Sequence, residues 1–238
     1  MSLLAVDELA AQVIGEAETS DAISAPTVAA LHDLLDAAGA APGRGDALPP
    51  LWHWLAFRPV VPQRELGRDG HPRLGLLDPS GAPLRRMWAS GAIALSGNLP
   101  VAAVLRRTSR VASAERKSGR SGEITFVQVV HHIEAGSAGT LDEQQLLAYR
   151  APAAPTGAPA RPVGPPAREA GEWAWQREVP IEPTLLFRFS ALTYNAHRIH
   201  YDRPYATGVE GYPGLVVHGP LQAALLAELC RQHAPERT

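Results

Sequence analysis

The chain has 238 residues, 45% apolar and 19% charged with a net charge of −2, which excludes wholesale disorder and gives no electrostatic footprint for nucleic acid. A single cysteine, Cys230, excludes an internal disulfide framework, and there is no run of about 18 apolar residues to span a membrane. The N-terminal stretch is acidic (Asp7, Glu8, Glu16, Glu18), the wrong sign for a targeting peptide, so the expected location is cytoplasmic.

The first 40 residues are expected to be helical. A first apolar patch closes at Val13 and Ile14. Ser24-Ala25-Pro26 opens a second helix, with serine as its cap and proline in the first turn. Val28, Leu31 and Leu35 share one face of that helix. Residues 40–50 hold three prolines and two glycines and predict a loop. The aromatic run Leu51–Phe57 predicts a strand, residues 63–86 an irregular stretch, and Arg86–Gly91 the start of a short helix. Strands follow over Val101–Val111, Glu123–His132 and Leu146–Arg150, with Lys117–Gly122 as the hairpin turn between the first two. His131 and His132 fall on adjacent faces of their strand and read as packing or solvated side chains. Residues 1–150 therefore predict an α+β domain.

Residues 151–170 carry six prolines, which oppose helix and sheet alike, and read as a linker. Extended at ~3.1 Å per residue, the segment reaches roughly 60 Å, enough to cross a small domain. Beyond it, Leu185, Phe187 and Phe189 alternate with Thr184, Arg188 and Ser190, which predicts a half-buried strand. A polar loop rich in histidine and tyrosine runs over residues 193–214. A last helix starts at Gly219-Pro220, shows Leu221, Leu225 and Leu229 on one face, and ends near Gln232. Cys230 reads as a small buried hydrophobe on it.

Chemistry is concentrated at this end. His197, His200 and His218 are three of nine histidines, and histidine is the side chain best poised for proton transfer near neutral pH. A metal site built from His197, His200 and Asp202 is one rival reading, without an HExxH spacing or a cysteine pair behind it. Solvated loop histidines are another. What favours chemistry is Gly219, where the first turn of a helix offers unpaired amides and a positive dipole end to an anion or a developing oxyanion. The same glycine also fits an ordinary helix cap. A proton carrier beside an oxyanion site is what reaction at a carbonyl requires.

The stretches Phe187–Asp202 (FRFSALTYNAHRIHYD) and Gly214–Ala223 (GLVVHGPLQA) resemble the MaoC-like hydratase/dehydratases. Leu51–Trp54, Leu66–His71, Arg86–Gly91 and Lys117–Gly122 extend the resemblance over most of the chain. The branch is that of the mesaconyl-C4-CoA (itaconyl-CoA) hydratases and the 3-hydroxyacyl-thioester dehydratases type 2. The resemblance implies an α+β double hotdog, two long helices each wrapped by a curved antiparallel sheet. Residues 1–150 would be a degenerate first half, 151–170 the linker, and 171–238 the first part of an active second half. The implied activity is that of a hydro-lyase, reversible hydration of an enoyl thioester of CoA or of an acyl carrier protein, with no metal or redox cofactor.

The family's Asp-x-Asn-Pro-x-His motif aligns its last histidine with His200, which puts Asn195 at the aspartate position and His197 at the asparagine position. His200 is thus expected to move the proton while Asn195 orients the water and the Gly219 amide polarises the thioester carbonyl. Tyr194, His197 and Arg188 are expected as contacts around the substrate or its carboxylate. Few residues follow Gln232, so the second hotdog is expected to be cut short, with a homodimer or a complementing subunit supplying its strands. The alternative is a non-catalytic hotdog that binds acyl thioesters or a partner subunit.

Overall fold

Ser24 does what its place before Ala25-Pro26 implies. Its Oγ accepts the Thr27 amide at 3.3 Å and caps helix α1, Ala25–Leu34. The computed structural model describes residues 17–72, 85–119, 122–150 and 173–234. The apolar patch at Val13 and Ile14, the linker and the chain's last four residues lie outside these. The described part of the run before α1 is not helical. Ala17–Ala22 forms strand β1, which pairs antiparallel with Val104–Ser109 and so finds partners for backbone groups that a helix would have satisfied internally.

Four longer strands complete one antiparallel sheet: β2 (Arg85–Gly97), β3 (Val104–Gly119), β4 (Gly122–Glu134) and β5 (Gly139–Arg150), in the order β1-β3-β4-β5-β2. The hairpin expected at Lys117–Gly122 is there, with Gly119 opposite Gly122. Arg86–Gly91 is strand rather than helix, because β2 pairs with β5 along its whole length. Register shifts between Trp88 and Ser90 in β2 and between Val111 and Ser113 in β3 bend the two strands and curve the sheet.

Leu51–Phe57 is not a strand either. Trp52–Leu55 makes one 3-10 turn, tied by the Trp52 amide to the Pro49 carbonyl, which buries Trp52, His53 and Leu55. Thr184–Ser190, expected as a strand, lies in helix α2, Pro183–Thr193. Its buried residues are Leu186, Phe189 and Ser190, spaced for a helix, while Phe187 is exposed. A short helix α3 spans Arg203–Gly208, and α4 spans Gly219–His233 as the last apolar stripe predicted.

One core joins these parts. Val28, Leu31 and Leu35 of the α1 region, Leu105, Ile133 and Leu141 of the sheet, Leu186 and Phe189 of α2, and Leu221 and Ala224 of α4 form a single buried cluster. The helices after residue 172 therefore share a core with the sheet made by residues 17–22 and 85–150. Arg177 adds a bond to the Leu35 carbonyl at 2.9 Å, and Trp175 stacks on His233. Cys230 is exposed, on the outer side of α4 rather than in the core.

Candidate active site

The segment after α2 is shaped to gather histidines. Tyr194 ends the helix in the left-handed conformation (φ 55°), and the Asn195 side-chain oxygen accepts the His197 amide at 3.0 Å. Arg198 fastens the next turn. Its guanidinium donates to Asp202 at 2.7 Å and to the Arg68 carbonyl at 3.0 Å, and lies over the Tyr205 ring. Its amide donates to the Asp69 carbonyl at 2.8 Å. Residues 67–72 are thereby docked on residues 195–198. The approach is so close that a Cβ on Gly70, whose φ is +92°, would lie 1.8 Å from the Ala196 oxygen, so only glycine fits there.

Four imidazoles from three segments meet at this junction. His71 lies 4.3 Å from His197 between ring centroids, His197 meets His200 edge-on at 5.4 Å, and His200 stacks on His218 at 3.6 Å. Each end of the row has a polar anchor. Asp69 Oδ2 accepts the His71 Nδ1–H at 2.9 Å, and Ser190 Oγ lies 2.8 Å from His218 Nε2. His200 Nδ1–H donates to the Val216 carbonyl at 2.7 Å, which leaves the lone pair of a neutral ring on Nε2. His218, fully buried, is the cap residue of α4 and has no hydrogen-bond partner at Nδ1 among the described residues.

The electrostatics keep three of these rings, His197, His200 and His218, neutral. Burial pushes His200 down to about 4, against the pull of its bond to Val216. Burial with the neighbouring histidines takes His197 down to about 3, and burial with His200 takes His218 to about 3. Burial favours the protonated form of Asp69, but the hydrogen bonds and charge of His71 hold it below the usual carboxylate range. The site thus contains proton acceptors that are free at neutral pH.

The helix end stands beside them. Gly219 follows His218 directly, and a Cβ on it would come within 3.0 Å of the Trp88 ring of β2. Trp88 is met edge-on by Trp54, whose indole N–H donates to the buried Glu143 at 2.7 Å. Trp88 thus lies against the first turn of α4.

The residues singled out from the sequence divide accordingly. His197, His200 and Gly219 come together, joined by His218. Tyr194 and Asn195 line a cavity of about 190 Å³ with Phe187, Ser190, Ala191, Ala196 and Tyr201. Arg188 is exposed on α2, away from the rings, whereas the charge of Arg86 on β2 reaches His197. Asp202 is not part of any histidine cluster, because it caps α3 and pairs with Arg198. Among the described residues, the group that could hold a metal ion is instead Asp69, His71 and His197, one ligand atom of each lying within 4.8 Å of the others. Asp69 and His71 fall in the Leu66–His71 stretch that shares the family resemblance, but neither is singled out there as a site residue, since Arg198, which holds this loop through Arg68, lies 130 positions away.

A family model for the hydroxyacyl-thioester dehydratases type 2 matches residues 51–238. The chain belongs to this family. It is a hydro-lyase of the MaoC-like group, and the hotdog-type α+β fold described above is that of its relatives. Over 213 residues it is 45% identical to the mesaconyl-C(4)-CoA hydratase of Chloroflexus aurantiacus, covering 90% of this chain and 74% of that protein. The fold also matches a solved MaoC-like dehydratase at a TM-score of 0.63, with 14% identity over 94% of this chain and 78% of that one. HtdX of Mycobacterium tuberculosis matches at 0.55, with 18% identity over 88% of this chain and 74% of that one.

Proposed function

We propose that this hydro-lyase adds water reversibly to the enoyl-CoA thioester of a dicarboxylic acid, with mesaconyl-C4-CoA as its substrate. The relative of that name, 45% identical, supports the choice of acyl group. The observation that carries the mechanism is the unprotonated Nε2 of His200, stacked on the residue that opens α4. In hydration, His200 Nε2 takes one proton from water as the water oxygen bonds the β-carbon. The electron pair of the C=C bond moves toward the thioester, and the Gly219 N–H donates to the oxygen that gathers the charge. The imidazolium then returns its proton to the α-carbon. One hydrogen of the water ends on that carbon, the other stays on the new hydroxyl, and the enzyme is restored.

Asn195 has its amide group left to orient the water, since its oxygen serves the loop. Every proton in this scheme is moved by imidazole, so the reading calls on no metal ion or redox cofactor. Phe187, Tyr194 and Leu226 expose 62%, 51% and 63% of their surface, and we place a second copy or a complementing subunit over such exposed apolar side chains. The single cysteine suits a cytoplasmic enzyme.

The deciding experiment is His200→Gln assayed on mesaconyl-C4-CoA and crotonyl-CoA. Loss of general acid–base catalysis predicts a fall in kcat of about 10²–10⁴-fold with little change in KM. A variant that keeps more than about a third of the wild-type kcat on each thioester removes His200 from the mechanism.

A further inference from the structure

Among the described residues, the carboxylate in hydrogen-bond contact with the histidine row is Asp69, and the loop that carries it is held with unusual care. Asp69 Oδ1 accepts the His71 amide at 3.0 Å while Oδ2 accepts the His71 ring at 2.9 Å. The pair is thus a rigid unit, fixed to residues 195–198 by the Gly70 contact and by two bonds from Arg198. Its exposed edge is small, with 22% of the His71 and 24% of the Asp69 side chain accessible. A purely structural loop has no need to present an oriented imidazole, 4.3 Å from His197, to a row of neutral rings. A metal ion fits the arrangement less well than a proton. His71 Nδ1 is occupied by Asp69, and the carboxylate's two oxygens are both engaged, so the ring is set as in a carboxylate–histidine pair with only Nε2 to offer.

We propose that Asp69 and His71 are positioning residues of the acid–base site, with Asp69 orienting His71 and His71 setting His197 and sharing the positive charge that His200 acquires during turnover. The proposal rests on the hydratase reading above. It gives the first part of the chain a direct part in the reaction. When His200 takes its proton from water, an imidazolium forms in a buried site beside His197 and His218, which burial holds in the neutral form. The negative charge of Asp69, conveyed through His71 and His197, is what offsets it.

The test is Asp69→Asn in the full chain, which keeps an acceptor for the His71 amide and removes the charge. The kcat for mesaconyl-C4-CoA should fall about 10–100-fold, the size seen when such supporting partners are removed. KM and the melting temperature should hold, a split that loss of a merely structural contact would not produce. Dialysis against EDTA should leave wild-type activity intact. A kcat for Asp69→Asn within threefold of wild type overturns the proposal, as does activity lost to EDTA and restored by zinc. Should Asp69→Asn fail to fold, His71→Gln reads the same interaction from the other side, with the same threshold. A wild type that hydrates no enoyl-CoA overturns the functional reading and this proposal together. An active wild type with an equally active Asp69→Asn overturns this proposal alone.

Discussion

Asn195 shows how much one side chain is asked to do at this site. Its oxygen holds the His197 amide at 3.0 Å, so the turn that places His197 beside His200 depends on it, and the residue also lines the cavity. Alanine at this position leaves the His197 N–H without its acceptor, a loss of about 1–3 kcal/mol where the group stays buried. Asn195→Ala should therefore lower both the melting temperature and kcat, the latter far less than His200→Gln does, since no proton carrier is removed. Steady-state kinetics of both variants on one thioester preparation check the order. Asn195→Asp separates the two duties, because it keeps an acceptor for His197 and adds a negative charge that favours protonated imidazole nearby. Equal losses in Asn195→Ala and His200→Gln would assign the proton to the wrong residue.

The element that positions the row is the 67–72 loop, and Gly70 is its weakest point. Any Cβ there meets the Ala196 carbonyl oxygen at 1.8 Å, on a backbone with φ +92°. Gly70→Ala should lower stability by about 2–4 kcal/mol, the range of overpacking and strained-backbone substitutions combined. A urea melt measures the loss, and kcat should fall with it as His71 leaves His197. Little of this loop was legible in the sequence, because its partners are so distant along the chain. Features with local causes were legible. Ser24 with Pro26 marked α1, Gly219-Pro220 with Leu221 and Leu225 marked α4, and glycines 119 and 122 marked the hairpin. The failures share one cause. Leu185, Phe187 and Phe189 satisfy the strand period over a run so short that Leu186, Phe189 and Ser190 satisfy the helix period equally well. Pro183 in the first turn was the signal that decides between them. Arg86–Gly91 became a strand because of β5, which a local reading does not contain. Of the site, His197, His200 and Gly219 could be found from their spacing, whereas His71 and Asp69 needed the fold.

On the scale of the whole molecule, α2 and α4 share a core with the sheet, so the histidine row and the fold should rise and fall together. The row makes that coupling depend on pH. Burial lowers His200 and His131 to about 4 and His197 and His218 to about 3, whereas in the unfolded chain each titrates near 6.5. Above pH 7 neither state binds these protons, and stability is insensitive to them. As pH falls below 6.5 the unfolded chain gains protons that the folded chain refuses. Each such histidine then costs about 1.4 kcal/mol per pH unit until its folded value is reached. His132, exposed and raised by Asp142, acts in the opposite sense, favouring the folded state as pH falls and losing that effect as pH rises. Glu143 is held down to about 2 by His53, Trp54 and Gln145 despite its burial, so its contribution survives until well below pH 4.5. Urea melts should accordingly show a plateau above about pH 7 and a steep decline from 6.5 toward 4.5, with far-UV and tryptophan signals moving together. His131→Gln, remote from the row and bonded to Ser109 at 2.8 Å, should reduce the slope by about one proton without touching the acid–base site. A flat stability from pH 7 to 5 would mean that the rings take up protons in the folded protein as readily as in the unfolded chain, and His200 would then lose its lone pair as pH falls through about 6.5.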